Sequence, residues 1–381
     1  MNQVSGVSRT NEEAEVLKGL CDWVKVESPS YDRAGVNRMM DIASDAMREL
    51  GATITRIPGR DNLGDTVTAR MPWGGDGPGI LVLGHLDTVH LKGTITGPLP
   101  VRRDGDRLWG PGIYDMKGGV YIAYHALRRI VRAGEETHLP VTFMFIPDEE
   151  LGSPTTREYI EAESMKNRFV LVPEPAQDRG NLITGRWAFA RFLLTTKGKP
   201  AHAGAFLNKG SSAINEMANQ IIRIEEMSEP DRNVTFSVGV INGGTFVNVV
   251  PAECTAQVLA VAPTQADLDD VCNRMMALKP INPEVPFKVK QGAIRPLFEP
   301  SEAVIGLYTM AASFAKEAGY EPGHGMVGGG SDGNFSGALG IPTLDGLGLC
   351  GEDFHTHNEH IYVSSVLPRC DVFEQMLRTL K

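Results

Sequence analysis

Two adjacent glutamates, Glu149 and Glu150, follow directly on the apolar run Val141-Thr142-Phe143-Met144-Phe145-Ile146. A run this apolar and β-prone reads as a strand buried on both faces. Ionised carboxylates are costly to bury unless a metal or hydrogen-bond donors take them up. A strand ending in Asp148-Glu149-Glu150 therefore delivers carboxylates to a site. The arrangement recurs: Gly79 to Gly84 leads to His85-Leu86-Asp87, and Phe169 to Val172 leads to Pro173-Glu174. Asp115 lies between the glycine-rich stretches Gly110-Pro111-Gly112 and Gly118-Gly119, and the cluster His355, His357 and His360 offers a further imidazole. Mixed imidazole and carboxylate donors suit Zn²⁺, with Mn²⁺ or Co²⁺ as substitutes. On these residues alone, a solvated turn at Glu149-Glu150, a strand-end pair of His85 and Asp87, and an N-cap at Asp115 stay open. H-E-x-x-H is absent.

The elements that must position these residues are those of an α/β protein. Residues 11–28 have the spacing of an amphipathic helix, with Val16, Leu17, Leu20 and Val24 on one face. Val120 to Arg132 has helical spacing and stops at Gly134, a C-terminal cap. Strands alternating with helices imply a largely parallel sheet, whose sites sit at the carboxyl ends of its strands. The pattern changes after Gly185. Strand 187–196, helix 211–227, strands 234–241 and 254–262, helix 265–278 with Thr264 as cap, and a strand near 286–291 give β-α-β-β-α-β, the split βαβ unit. The chain is thus expected to divide into a discontinuous first domain, 1–185 with 296–381, and an inserted ferredoxin-like domain, 186–295.

The bulk properties narrow the function classes. The 381 residues carry a net charge of -10 with no basic block, which argues against nucleic-acid binding. No stretch is long and apolar enough to span a bilayer. The first fifteen residues are polar and acidic, unlike a secretory signal, so the cytoplasm is expected. Five scattered cysteines, never C-x-x-C, fit free thiols in a reducing compartment.

Gly84-His85-Leu86-Asp87-Thr88-Val89, Gly110-Pro111-Gly112-Ile113-Tyr114-Asp115-Met116-Lys117-Gly118-Gly119 and Asp148-Glu149-Glu150-Leu151-Gly152-Ser153 resemble the di-zinc M20 metallopeptidase family. Within it the chain is similar to the glutamate carboxypeptidase (carboxypeptidase G2-like) branch. Glu174 between prolines, His202 in Ala-His-Ala-Gly, Gly328-Gly329-Gly330-Ser331-Asp332 and Phe354-His355 continue the match in order. The resemblance implies a zinc-peptidase catalytic domain with a mostly parallel mixed sheet, plus an inserted lid that also forms a homodimer. It implies two Zn²⁺ per subunit: His85 and Glu174 on one, Glu150 and His355 on the other, with Asp115 bridging. It further implies that Asp87 fixes the tautomer of His85 and that Glu149 stays unligated as general base to a zinc-bridged hydroxide. His202 would support the oxyanion, and Arg295, Asn248 and the loop of Gly329 and Gly330 would contact substrate. The Asp115–Met116 peptide is often cis in this family.

The expected activity is hydrolysis of an amide or peptide bond, releasing a C-terminal amino acid such as glutamate from a small peptide or N-acyl amino acid with a free carboxylate. The alternatives are an N-acyl-amino-acid deacylase on the same scaffold and a catalytically silent metal- or peptide-binding protein. The intact Glu149 argues against the silent protein.

Overall fold

In a computed structural model of the chain, residues 9–178 and 180–381 are described. The first eight residues, part of the polar N-terminal stretch, lie outside them. Proximity along the backbone groups the chain into two compact units. One runs up to Gly185 and includes Phe298–Val327 and Ser331–Lys381; the other comprises Arg186–Leu297 and Gly328–Gly330.

The first unit is built on a six-stranded mixed sheet. Strands Thr53–Ile57 and Thr66–Arg70 form an antiparallel edge that joins Val141–Ile146; then Gly79–His85, Asn167–Leu171 and Thr343–Leu344 follow in parallel. Every residue of Gly79–His85 and Val141–Ile146 is buried, as continuous apolar strands require. Alternate side chains serve different cores. Ile80, Val82, Phe143, Phe145 and Leu171 pack with the helices Arg9–Val24, Arg33–Glu49, Gly118–Arg132, Glu302–Glu317 and Val366–Thr379. Leu81, Leu83, Met144, Ile146 and Val170 pack with Ile160 and Phe335 on the other face. The parallel register pairs His85 with Ile146, so the residues after each strand emerge side by side.

The first helix stops at Val24, earlier than the periodicity suggests. Ser28 precedes Pro29, and a residue before proline is pushed out of helical geometry. The antiparallel edge strands and the helix Arg33–Glu49 carry no pattern noticed in the sequence.

The second unit is a four-stranded antiparallel sheet. Its spatial order is Thr235–Gly243, Glu253–Ala262, Ala188–Lys197, Phe287–Arg295, with helices Ala213–Glu225 and Gln265–Met276. The chain order is β-α-β-β-α-β. Ser212 and Thr264 cap the two helices, their hydroxyls each accepting a backbone N–H at 3.1 Å. Inward positions of Ala188–Lys197 alternate through Ala188, Ala190, Phe192, Leu194 and Thr196.

Gly119 opens the helix Gly118–Arg132 where it meets the end of the third parallel strand. A Cβ there would lie 1.8 Å from the carbonyl oxygen of Pro173, the residue before Glu174. Gly119→Ala is expected to destabilise the protein by about 1–3 kcal/mol through overpacking, read as a lower urea midpoint with unchanged slope.

Candidate metal centre

The strand ends place six donor side chains together. His85 closes its strand and is 1% exposed. Its Nε2 stands 3.1 Å from Oδ1 of Asp115 and 3.8 Å from Oε1 of Glu174. The other oxygen of Asp115, Oδ2, is 3.1 Å from Nε2 of His355, which is also 3.1 Å from Oε2 of Glu150. Ligand-type atoms of His85, Glu149 and Glu174 lie within 4.8 Å of one another, as do those of His85, Asp115 and Glu150. Of the C-terminal histidines, only His355 meets these carboxylates. His360 is buried, with Nδ1 2.8 Å from the carbonyl of Asn358, and His357 is exposed.

Local backbone geometry aims each group. Asp115 follows Gly112, whose φ of 69° is the left-handed conformation glycine tolerates, and the Asp115–Met116 peptide is cis. Glu149 and Glu150 sit in one turn of 3₁₀ helix, Glu149–Leu151, closed by Gly152 at φ 89°. That turn is gripped from below by Asp87, which is fully buried. Its Oδ1 accepts the N–H of Glu149 at 3.2 Å, and its Oδ2 accepts the N–H of Glu150 at 3.3 Å and the hydroxyl of Ser30 at 2.6 Å. Nδ1 of His85 is 3.0 Å from the backbone carbonyl of Asp87 and 3.4 Å from its carboxylate. Either oxygen fixes the ring, and the carbonyl is the nearer. Asp148, the third acid of the strand end, points away from the cluster. It accepts the N–H and hydroxyl of Thr155 at 2.9 and 2.7 Å and the hydroxyl of Thr156 at 2.5 Å. Sequence reading missed Ser30 and this Asp148 clasp, because isolated hydroxyl residues carry no motif.

The remaining candidates lie in the second unit. His202 and Asn248 are neighbours there: residues 202 and 249 form a β-bridge, and Ala203 N–H donates to the carbonyl of Asn248 at 2.9 Å. Nδ1 of His202 accepts the N–H groups of Gly204 and Ala205, both at 3.2 Å, so its proton belongs on Nε2. Arg295 is 3% exposed, with its guanidinium 5.6 Å from the ring centre of Phe189. A Cβ on Gly330 would lie 2.2 Å from Phe189 and 2.8 Å from Cδ of Arg295, while the carbonyl of Gly329 accepts from Arg186 at 2.7 Å.

The model of peptidase family M20/M25/M40 matches residues 81–379. This chain belongs to that family. Carboxypeptidase G2 of Pseudomonas sp. (strain RS-16) is 30% identical over 367 residues, 94% of this chain and 88% of that protein. A succinyl-diaminopimelate desuccinylase of Gluconacetobacter diazotrophicus is 25% identical over 94% of this chain and 95% of its own. In fold, an M20 family metallo-carboxypeptidase from Sulfolobus solfataricus superposes with a TM-score of 0.75 at 16% identity, covering 96% of this chain and 98% of that one. The chain is thus an enzyme of the M20 metallocarboxypeptidase and amidohydrolase class.

The donor set of this M20 enzyme fits divalent metal. Oε1 of Glu150 is buried with no hydrogen-bond partner among the described residues, a costly state that coordination would relieve. Burial and the neighbouring Asp115 charge push the Glu150 carboxyl up. Asp115 is held low: burial opposes this, but hydrogen bonds to His355 and His85 prevail. Hydrogen bonds to Asp115 and Glu150 push His355 up to about 10. Burial opposes the charged form of His85, yet Asp115, Asp87 and Glu174 still raise it well above its ordinary value. Without metal, these carboxylates favour the protonated forms of His85 and His355. A cation that ligates these nitrogens must displace those protons. Metal uptake is therefore expected to release protons and to strengthen as pH rises from about 7 towards 10. Calorimetry of zinc binding in buffers of different protonation enthalpy measures this, and buffer-independent heats would contradict it.

Proposed function

We propose that this enzyme hydrolyses an amide or peptide bond and releases a C-terminal amino acid, glutamate being the first candidate, from a small peptide or N-acyl amino acid. The observation that carries the reading is Asp115, whose two oxygens each approach the Nε2 of a different histidine at 3.1 Å. A carboxylate shared this way is a bridge between two donor sets. His85 with Glu174 forms one, and His355 with Glu150 the other. Two divalent ions, zinc first and cobalt or manganese as substitutes, would supply Lewis-acid polarisation of water and substrate carbonyl when bound.

The side chains do the rest. Glu149, half-buried beside His85 and Glu174, is placed to take a proton from the attacking water and pass it to the leaving amine. Asp87 holds the backbone of that glutamate and the ring of His85, so base and ligand move together. His202, with its proton on Nε2, is a donor suited to a developing oxyanion. Arg295 is the group for the substrate's free carboxylate, which matches a guanidinium's fork, and Asn248 and the close-packed Gly329 and Gly330 are further substrate contacts. The second unit acts in this reading as lid and homodimer surface, and the cytoplasm is the working compartment.

Deacylation of an N-acyl amino acid is a second reading on the same machinery, favoured by the full-length similarity to the desuccinylase. A panel of dipeptides and N-acyl amino acids with zinc or cobalt separates the two. Loss of the base by Glu149→Gln is expected to cut turnover by about 10²–10⁴-fold while metal stoichiometry stays at the wild-type value. Loss of a metal ion in that variant would instead make Glu149 a ligand, a role its distance from His85 and Glu174 permits. Masking the substrate carboxylate as an amide should raise KM strongly in the wild type and little in Arg295→Ala. Equal KM changes in both would remove Arg295 from carboxylate recognition.

A further inference from the structure

Glu359 is a buried carboxylate with no place in the scheme above. It is 1% exposed and lies four residues beyond His355. Its Oε1 accepts the backbone N–H of Tyr114 at 2.8 Å and of Asp115 at 3.1 Å. Its Oε2 accepts the N–H of Gly112 at 3.0 Å and lies 2.5 Å from Nε2 of His90. His90 is itself buried and follows His85 by five residues. The strand His360–Tyr362, immediately after Glu359, pairs with Arg107–Trp109, immediately before the Gly110–Asp115 turn, so the carboxylate is held opposite that turn.

We infer that Glu359, with His90, is a positioning residue for the metal centre that fixes the bridging carboxylate of Asp115 relative to His85 and His355. One side chain ties together the three loops that carry those ligands: the loop after His85 through His90, the Asp115 turn through three backbone N–H groups, and the His355 loop through its own backbone. The argument is one of economy of charge. A buried carboxylate needs donors, and packing contacts between apolar side chains would close this fold at lower cost. A carboxylate that accepts the peptide N–H groups of Asp115, of Tyr114 before it and of Gly112 at the start of the turn holds the backbone that carries the bridging carboxylate. Outer groups of this kind commonly set metal affinity by about 10–100-fold. The inference rests on the dinuclear reading and adds to it the residue that sets the spacing between the two donor sets.

The test uses the full chain and metal alone. Zinc affinity by chelator competition and the visible spectrum of the cobalt-loaded protein are measured for wild type, Glu359→Gln, His90→Leu and His90→Gln. The amide keeps size but places an N–H₂ against a donor. Glu359→Gln is expected to weaken binding of one of the two ions by about 10–100-fold and to shift the cobalt bands. His90→Leu should show a smaller loss, and His90→Gln, which restores a donor to Glu359, should recover both affinity and spectrum. A purely structural carboxylate would lower the urea midpoint and leave the cobalt bands of the folded variant unchanged, which overturns the inference. If Glu359→Gln is not recovered folded, the His90 pair decides by the same two readouts. Metal uptake by the wild type with unaltered variants overturns this inference alone, whereas no uptake by the wild type overturns the dinuclear reading and this inference with it.

Discussion

Burying negative charge is the constraint on which this structure turns. Asp87, Asp148, Glu149, Glu150 and Glu174 follow strands of the central sheet, Asp115 lies in a glycine-flanked turn, and Asp87, Asp148 and Glu174 are almost inaccessible. Each must find positive charge or N–H and O–H donors. The structure sorts them by what they find. Asp87 and Asp148 face peptide N–H groups and hydroxyls, and their work is to hold turns. Asp115, Glu150 and Glu174 face imidazole nitrogens, and one oxygen of Glu150 faces nothing that donates among the described residues. The second group is the one that needs a cation. Type of partner therefore separates scaffold acids from candidate ligands without reference to any motif.

The same sorting explains how two neighbours in sequence can do different work. In an extended strand Glu149 and Glu150 would point to opposite faces. The 3₁₀ turn that follows Ile146 replaces that alternation, and Asp87 secures the turn by accepting both of their N–H groups. Glu150 is thereby brought to His355, and Glu149 to His85 and Glu174. The parallel register, which sets His85 level with Ile146, makes this possible over a few residues. Slippage of either strand would carry its acid away from the histidine, so the fully apolar strand interiors are as much a condition of the site as the acids themselves.

What could be read in the sequence is what repeats or alternates. The strands at 79–85 and 141–146 and the β-α-β-β-α-β order of the second unit stand out because periodicity and runs of apolar residues mark them. The donor residues stand out because each follows such a run or lies among glycines. Ser30, Thr155 and Thr156 do not, because a hydroxyl that satisfies a distant carboxylate leaves no local pattern. The strands 53–57 and 66–70 are short, the first of them partly exposed, with threonines and arginines that read equally well as loop. Resemblance alone singles out His355 over His357 and His360; the fold adds a φ of 62° there and contacts to Glu150 and Asp115, a backbone state no spacing rule announces for histidine.

Chemistry and selectivity draw on different kinds of support in this chain. The candidate ligands His85, Glu150 and Glu174 end or follow strands of the central sheet, where packing on both faces leaves little room for adjustment. Arg295 stands on the last strand of the second sheet, just beyond a register shift between Gln291 and Ile294, over the ring of Phe189 and under a glycine that admits no side chain. A guanidinium fixed by its own neighbours loses little freedom on meeting a carboxylate, which is how a single cation gains discrimination. A carboxypeptidase and a desuccinylase both resemble this chain over almost its whole length. Substrate preference can thus differ among relatives that share one fold while the hydrolytic chemistry is kept.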